Sequence, residues 1–170
     1  MNPHPKNSNP PTPTDRPIDF TRTAARAVLL SDAGQIAVMH FTNTGVHKLP
    51  GGGVDKGEEL EPALRREVRE EAGYTITNIR PLGRVEEDRY FCGMHQTSHC
   101  FVATAGEFVG QNLTEEEAAQ GMTLEWVDSF DEAVCRIENA KNVDEDGSEV
   151  GLKMMKLREI AILRRAQENL

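Results

Sequence analysis

Residues 49–74 read Leu-Pro-Gly-Gly-Gly-Val-Asp-Lys-Gly-Glu-Glu-Leu-Glu-Pro-Ala-Leu-Arg-Arg-Glu-Val-Arg-Glu-Glu-Ala-Gly-Tyr, a glycine-rich turn that runs straight into a charged run of helix formers. Pro62 suits the first turn of a helix, where a missing N–H costs nothing. Gly73 suits the left-handed residue that ends one. The residues between them favour helix, so a helix is predicted near residues 61–72. At about 100° per residue, Glu67, Glu70 and Glu71 fall within an arc of roughly 100°. Leu64, Val68 and Ala72 recur at every fourth position on a flank about 90° to 110° away, the side expected to face a core.

Three carboxylates on one helical face repel each other. Each pair at this spacing costs on the order of a few tenths of a kcal/mol, and more where water is excluded. Arg66, four residues before Glu70, offsets part of that. A hard divalent cation offsets more, because Mg²⁺ and Mn²⁺ favour carboxylate oxygens and bridge readily to phosphates. A bare Glu-x-x-Glu-Glu run is ordinarily a solvated helix face, so context decides between the two readings. Here Gly51, Gly52, Gly53 and Gly57 let the preceding backbone take left-handed angles and approach a ligand closely. The loop then enters a helix N-terminus, whose unpaired N–H groups favour an anion. Loop and helix together read as a diphosphate cradle, with Gly52 and Gly53 against the substrate. Glu58, near the helix start, is placed to bond free N–H groups and hold the loop.

The spacing carries a stronger signal. Gly52, Glu58, Arg66, Glu67, Glu70, Glu71 and Gly73 stand as glycine, five residues, Glu, seven residues, Arg-Glu, an apolar residue, any residue, Glu-Glu, any residue, glycine. At average residue usage such a set coincides by chance roughly once in a hundred million starting points. It matches every fixed position of the Nudix box, so the chain resembles the Nudix (MutT-like) hydrolases. The order of predicted strands and helices extends that likeness to about residues 21–170. The resemblance implies an α/β fold: an α/β/α sandwich around a mixed β-sheet, with the box as loop–helix–loop, in one domain over residues 19–170. It also implies an enzyme that hydrolyses a nucleoside diphosphate linked to another group, with Mg²⁺ or Mn²⁺ as cofactor.

Carried over position by position, Glu67, Glu70 and Glu71 become metal ligands, joined by the main-chain carbonyl of Gly51. Arg66 orients the glutamates by ion pairing. The family's general base is sometimes a box glutamate, which points to Glu67 or Glu70, and sometimes a glutamate in a later loop. Glu115, Glu116 and Glu117, in an expected loop before the Trp126 strand, supply that alternative, with Glu116 at their centre. An acidic run is equally an ordinary solvated surface. Tyr74 stands where an aliphatic residue is commoner, a matter of packing rather than chemistry.

At 170 residues the chain suits one domain with a sizeable core. A formal net charge of −9 argues against broad binding to nucleic acid or anionic membrane. It also leaves a phosphate-handling site in need of local cations. No apolar run approaches membrane-spanning length, and no charged-then-apolar leader opens the chain. Cys92, Cys100 and Cys135 lack metal spacing, which fits reduced thiols and a cytoplasmic setting. The expected partner is a small nucleotide, with assembly left open, a homodimer included.

Residues 1–18 carry Pro3, Pro5, Pro10, Pro11, Pro13 and Pro17 among polar residues and read as a disordered, proline-rich tail. Residues 23–30 read as a strand, Asp32-Ala33-Gly34 as the turn of a hairpin into residues 36–40, and residues 46–49 as the lead into the box. Three strands are expected over residues 79–84, 87–91 and 98–103, with a reversal at 92–96, and another over 124–127. Ser129 caps a short helix with Phe130, Val134 and Ile137 on one face. Residues 139–149 read as an acidic loop, and a last helix near 152–167 turns Leu152, Met155, Ile160 and Leu163 inward.

Arg22 and Arg26 share one face of the first strand by period two. His40, His47 and Lys48 lie on or beside strands that lead into the box. Arg26, whose guanidinium can grip two oxygens, and Lys48 are the leading phosphate contacts, against the reading of ordinary surface cations. Trp126 reads as core rather than as a platform for a base. No proline lies where ADP-ribose hydrolases of the resembled family carry one, whereas Tyr90 falls where dinucleoside polyphosphate hydrolases carry a tyrosine. The expected activity is a pyrophosphohydrolase acting on a nucleoside triphosphate or a related diphosphate derivative. Dinucleoside polyphosphate, nucleotide-sugar or ADP-ribose hydrolysis is the alternative. A non-catalytic Nudix-fold nucleotide sensor is the rival from another class, disfavoured because a sensor has no need of three mutually repelling glutamates.

Overall fold

A computed structural model describes residues 16–140 and 149–170. β1 (Phe20–Leu30) turns through residues 31–35, closed by Ser31 N–H on Gln35 O at 2.9 Å, into β2 (Ile36–Phe41). β3 (Val46–Lys48) and β4 (Gly51–Gly53) lead to α1 (Leu60–Ala72). α1 stops on Gly73 at φ 79°, whose N–H returns to Arg69 O, and β5 (Tyr74–Arg89) follows at once. β6 (Met94–Phe108), α2 (Glu115–Ala119), β7 (Met122–Val127), α3 (Phe130–Glu138) and α4 (Glu149–Glu168) complete the described chain.

Among the described residues, seven strands form one mixed sheet with the path β3-β2-β1-β6-β5, while β4 pairs with β1 and β7 with β2. β1 and β6 run parallel from Phe20–Met94 to Leu30–Thr104, and the other pairings are antiparallel. α1 gives Ala63, Leu64, Val68 and Ala72 to one apolar cluster, together with Leu29 and Met39. α3 and α4 give Ala133, Val134, Ile137, Ile162 and Leu163 to a second, together with Val28 and Val38. Neighbouring strand residues thus feed opposite clusters, as the period of two requires, and helices cover both faces of the sheet. Each buried Leu or Ile contributes about 1.5–3 kcal/mol. Among the described residues no helix is long and apolar enough to cross a membrane.

Three details depart from the sequence expectations. The strands expected over residues 79–103 are instead one long β5–β6 hairpin, closed by residues 90–93. β5 continues past Pro81 and Gly83 through register shifts at Thr77/Arg80 and Pro81/Gly83, with Gly83 at φ 133°. Such bulges let a strand accommodate a proline that cannot donate to the ladder. Glu115, Glu116 and Glu117 open α2 rather than sit in a loop, because Thr114 and Glu117 form a reciprocal capping box. α4 buries Met155, Ile162, Leu163 and Ala166, with Leu152 and Ile160 only partly covered. Ser129 does cap α3, its hydroxyl accepting from Glu132 N–H at 3.1 Å. Of the proline-rich tail, residues 1–15 lie outside the described residues, as do residues 141–148 of the acidic loop.

Candidate active site

α1 turns its three glutamates toward the glycine run at different depths. Side-chain exposure is 37 % for Glu70, 13 % for Glu67 and 2 % for Glu71. The helical period explains the gradient: Glu71 lies about 20° from Leu64 around the axis and joins the buried stripe. There Glu71 Oε1 accepts from Lys48 Nζ at 3.1 Å, and Oε2 accepts from Gly51 N–H at 2.8 Å. Burial pushes the Glu71 pKa up, against the opposing pull of Lys48 and the Gly51 N–H. Burial also raises Glu67; the Arg66 hydrogen bond opposes that shift, and the Glu71 and Glu70 charges add to it.

The glycines are demanded by close approach. Gly51 sits at φ 129°, and a Cβ there would strike the Ala25 carbonyl of β1; a Cβ on Gly52 would collide with both carboxylate oxygens of Glu67. Arg66 ties this loop to the helix. It reaches Glu58 at 2.8 and 3.0 Å, Glu67 at 2.7 Å, Glu70 at 3.4 Å and the Gly53 carbonyl at 3.0 Å. Glu58 also accepts from Asp55 N–H at 3.0 Å, and the Arg66 hydrogen bond holds its pKa down to about 2.

This donor set fits a hard divalent cation. Glu67, Glu70 and Glu71 offer oxygens only, and the bare Gly52 keeps open the space beside Glu67 that a side chain would fill. Each Glu71 oxygen retains a lone pair beyond its present hydrogen bond. The Gly51 carbonyl accepts one long bond, from Arg26 Nη1 at 3.3 Å.

Beside the glutamates a cavity of about 280 Å³ is lined by Arg22, Arg26, Lys48, Arg89 and Arg158. Phe20, Val46, Met94 and Met155 supply apolar wall. Arg26 and Arg89 each carry a buried Nε without a hydrogen-bond partner. Behind them lies a buried ionic network. Arg158 donates to Glu87 at 2.9 Å and pairs with Glu159 at 2.7 Å, and Gln96 Nε2 donates to Glu87 at 3.1 Å. Glu159 also lies 3.6 Å from Arg26 and accepts the Leu49 N–H at 2.9 Å, so the network anchors the entry to the glycine run.

Of the expected site residues, Arg66, Glu67, Glu70, Glu71, Gly51, Gly52, Gly53, Arg26 and Lys48 come together. Glu116 is exposed on α2 and accepts from Gln120 at 3.4 Å. The segment ahead of α2 is nevertheless bound to α1, through Gln111 Nε2 on Glu71 O at 2.5 Å and Asn112 N–H on Glu70 O at 2.9 Å. Trp126 packs edge-on against Tyr74 at 5.6 Å, and His40 and His47 turn away from the Lys48 side. The residues that sequence reasoning missed are Glu87, Arg89, Gln96, Arg158 and Glu159. Arg22–Gln96 is a register pair of β1 and β6, a signal available only once strand pairing is known.

These features define a glycine loop and a carboxylate-bearing helix set beside a cationic cavity on a mixed sheet. The family model of the NUDIX domain matches residues 20–148, and the chain belongs to the Nudix family. An RNA pyrophosphohydrolase of Caulobacter vibrioides is 54 % identical over 39 residues, 23 % of this chain and 22 % of that protein. The nucleoside triphosphatase NudI of Escherichia coli is also 54 % identical over 39 residues, 22 % of this chain and 28 % of its own. The chain thus spans under a third of the length of these curated relatives. A MutT Nudix hydrolase from Burkholderia pseudomallei shares the fold at TM-score 0.54 and 22 % identity, over 71 % of this chain and 98 % of that one.

Proposed function

We propose that the chain is a Mg²⁺-dependent pyrophosphohydrolase that cleaves the diphosphate linkage of a nucleotide, either a nucleoside triphosphate or a nucleoside diphosphate carrying another group. One observation carries the reading: three box glutamates packed on a glycine run open beside a cavity ringed by Arg22, Arg26, Lys48, Arg89 and Arg158. Glu67, Glu70, Glu71 and the Gly51 carbonyl hold Mg²⁺ (or Mn²⁺), which when bound neutralises charge on the phosphate oxygens. Arg26 and Lys48, which line the cavity, grip those oxygens, and the Gly52–Gly53 backbone lies against the linkage.

Glu67 or Glu70 accepts a proton as water attacks phosphorus; a new P–O bond forms and the bridging P–O bond breaks. The cavity's cations stabilise the charge that develops on the departing phosphate. Arg66 keeps the glutamates aligned. Glu116 is the secondary candidate for base, supported by the bonds from residues 111–112 to α1. The names of the relatives, an RNA pyrophosphohydrolase and a nucleoside triphosphatase, support cleavage within a nucleotide. The free thiols of Cys92, Cys100 and Cys135 support a reducing, cytoplasmic setting.

The test is a Mg²⁺ titration over nucleoside triphosphates, dinucleoside polyphosphates, ADP-ribose and nucleotide sugars, read by phosphate release and product masses. Mg²⁺-dependent turnover of at least one member is expected. Saturable binding without product across the whole panel would make the protein a sensor and overturn the reading.

A further inference from the structure

A second group of ligand-type side chains lies apart from the glutamates. Lys48 turns toward α1, so its neighbour His47 turns the other way. The β2–β3 register sets His40 opposite His47, and the β2–β7 register places Glu125 opposite Val38, one diagonal step from His40 on the same face. The two imidazole rings stack with centroids 4.1 Å apart and planes 9° from parallel. One ligand atom from each of His40, His47 and Glu125 lies within 4.8 Å of the other two.

The arrangement of hydrogens at His47 is telling. Its Nδ1 faces the Gly45 carbonyl at 3.2 Å, and a carbonyl only accepts, so Nδ1 carries the proton. Nε2 is left with a lone pair, buried and without a hydrogen-bond partner. That lone pair points at a second acceptor, Glu125 Oε2, 3.6 Å away, farther than a hydrogen bond to a protonated ring would span. A cation placed between them would satisfy the lone pair of His47, whereas Glu125 Oε2 at present accepts from Arg136 Nη1 at 3.2 Å. An imidazole held by a main-chain carbonyl through its other nitrogen is the arrangement that metal-binding histidines show.

We propose that His40, His47 and Glu125 form a second metal site, taking Zn²⁺ through two imidazole nitrogens and one carboxylate oxygen. Imidazole ligands suit zinc, whereas the oxygen-only set on α1 suits magnesium, so the two sites differ in the ion they select. Zn–N and Zn–O bonds of about 2.0–2.2 Å place tetrahedral ligands roughly 3.4 Å apart, a contraction of up to about 1.4 Å from the present spread of 4.8 Å. His40 Nδ1 lies 2.8 Å from Glu125 Oε1 and donates its proton there; when the ion binds, that proton moves to Nε2 and the freed Nδ1 lone pair becomes the ligand. Arg136 Nη1 now lies 3.2 Å from Glu125 and is held on its other side by Glu132 at 3.3 Å, where it can remain when the ion takes the carboxylate. The bound ion cross-links β2, β3 and β7.

The test uses the full chain, stripped of metal and then saturated with Mg²⁺ to fill the α1 glutamates, and titrated with Zn²⁺ by calorimetry. One equivalent of Zn²⁺ is expected to bind, and Co²⁺ in its place should give the visible bands of a tetrahedral site. His47→Gln and Glu125→Gln should each weaken Zn²⁺ binding at least tenfold, while Glu70→Gln leaves it unchanged. Long-range ¹H–¹⁵N spectra of the unmutated protein should show Zn²⁺ shifting His47 Nε2 and His40 Nδ1, a readout independent of whether the variants fold. No binding, binding lost only in Glu70→Gln, or unmoved histidine nitrogens would each overturn the proposal.

Discussion

The glutamates of α1 and the His40–His47–Glu125 group are both sets of ligand-type side chains, assembled in opposite ways. The first lies on a single helix, its members three and four residues apart, so the helical period alone brings them to one side. The second joins three strands, and His40 meets a partner 85 positions along the chain. The first is all oxygen and knitted to Arg66; the second sets two imidazoles around one carboxylate. A helix writes its site into local spacing. A sheet writes its site into register, which no short stretch of sequence reveals.

The sharpest way to break this comparison is to silence one set and watch the other. Glu70→Gln removes the most exposed of the box carboxylates, so the fold should persist. kcat should fall by about 10²–10⁴-fold, as for loss of a group that touches the reacting water or its metal. Zn²⁺ binding at the histidines should be untouched. Steady-state turnover with Mg²⁺ decides the matter, and a rate like that of the unmutated protein would remove Glu70 from the chemistry.

Next in size is an effect on the buried support behind the first region. Glu159 is fully buried between Arg158 and Arg26 and anchors the Leu49 N–H. Burial opposes its ionisation, but Arg158 and Arg26 outweigh that and hold its pKa below the ordinary 4.5. Its stabilising contribution is therefore complete above about pH 4.5 and is lost as pH falls through the depressed value. Glu159→Gln strands buried guanidinium charge and should cost about 3–5 kcal/mol in urea unfolding. A midpoint unchanged at neutral pH would show that Glu87 alone satisfies Arg158.

This buried network also marks where the sequence stopped being legible. The box helix, its Gly73 stop, its apolar stripe and the Ser129 cap all follow from signals within a few residues. Glu87 and Arg158 stand 71 positions apart, and neither carries a motif. Glu71 shows the limit more finely: its place about 20° from Leu64 could be read from spacing, but its partners, Lys48 Nζ and the Gly51 N–H, could not. Those partners come from β3 and β4, whose placement against α1 is a tertiary choice. The β5 bulges around Pro81 were hidden for a similar reason, since β5 is held in place by β6 and not by its own propensity.

A smaller effect tests whether the box glutamates are under strain that an ion relieves. Mg²⁺ at about ten times its Kd should stabilise the folded chain by roughly 1.4 kcal/mol, or about 3–6 °C in Tm. Glu67→Gln, with one repelling charge removed, should start from a higher metal-free Tm and gain less from Mg²⁺. Thermal melts with and without chelator measure both. An equal Mg²⁺ shift in the two proteins would mean that the ion binds elsewhere.

The smallest expected change separates holding the loop from doing chemistry. Glu58 reaches Arg66 and the Asp55 N–H, and nothing in its geometry brings it to the cavity. Glu58→Gln keeps the shape of the side chain but loses the charge that binds Arg66, so kcat should drop by only about 10-fold, the low end for a group that orients ligands. Because the folded-state pKa is lowered from 4.5 to about 2, the ion pair's contribution is present above pH 4.5 and fades as pH falls toward 2. Acid melts of the unmutated protein and Glu58→Gln should therefore converge at the low end of that window and separate above it. A loss as large as that of Glu70→Gln would place Glu58 among the groups that touch the metal or the substrate, and the division of labour between loop and helix would have to be redrawn.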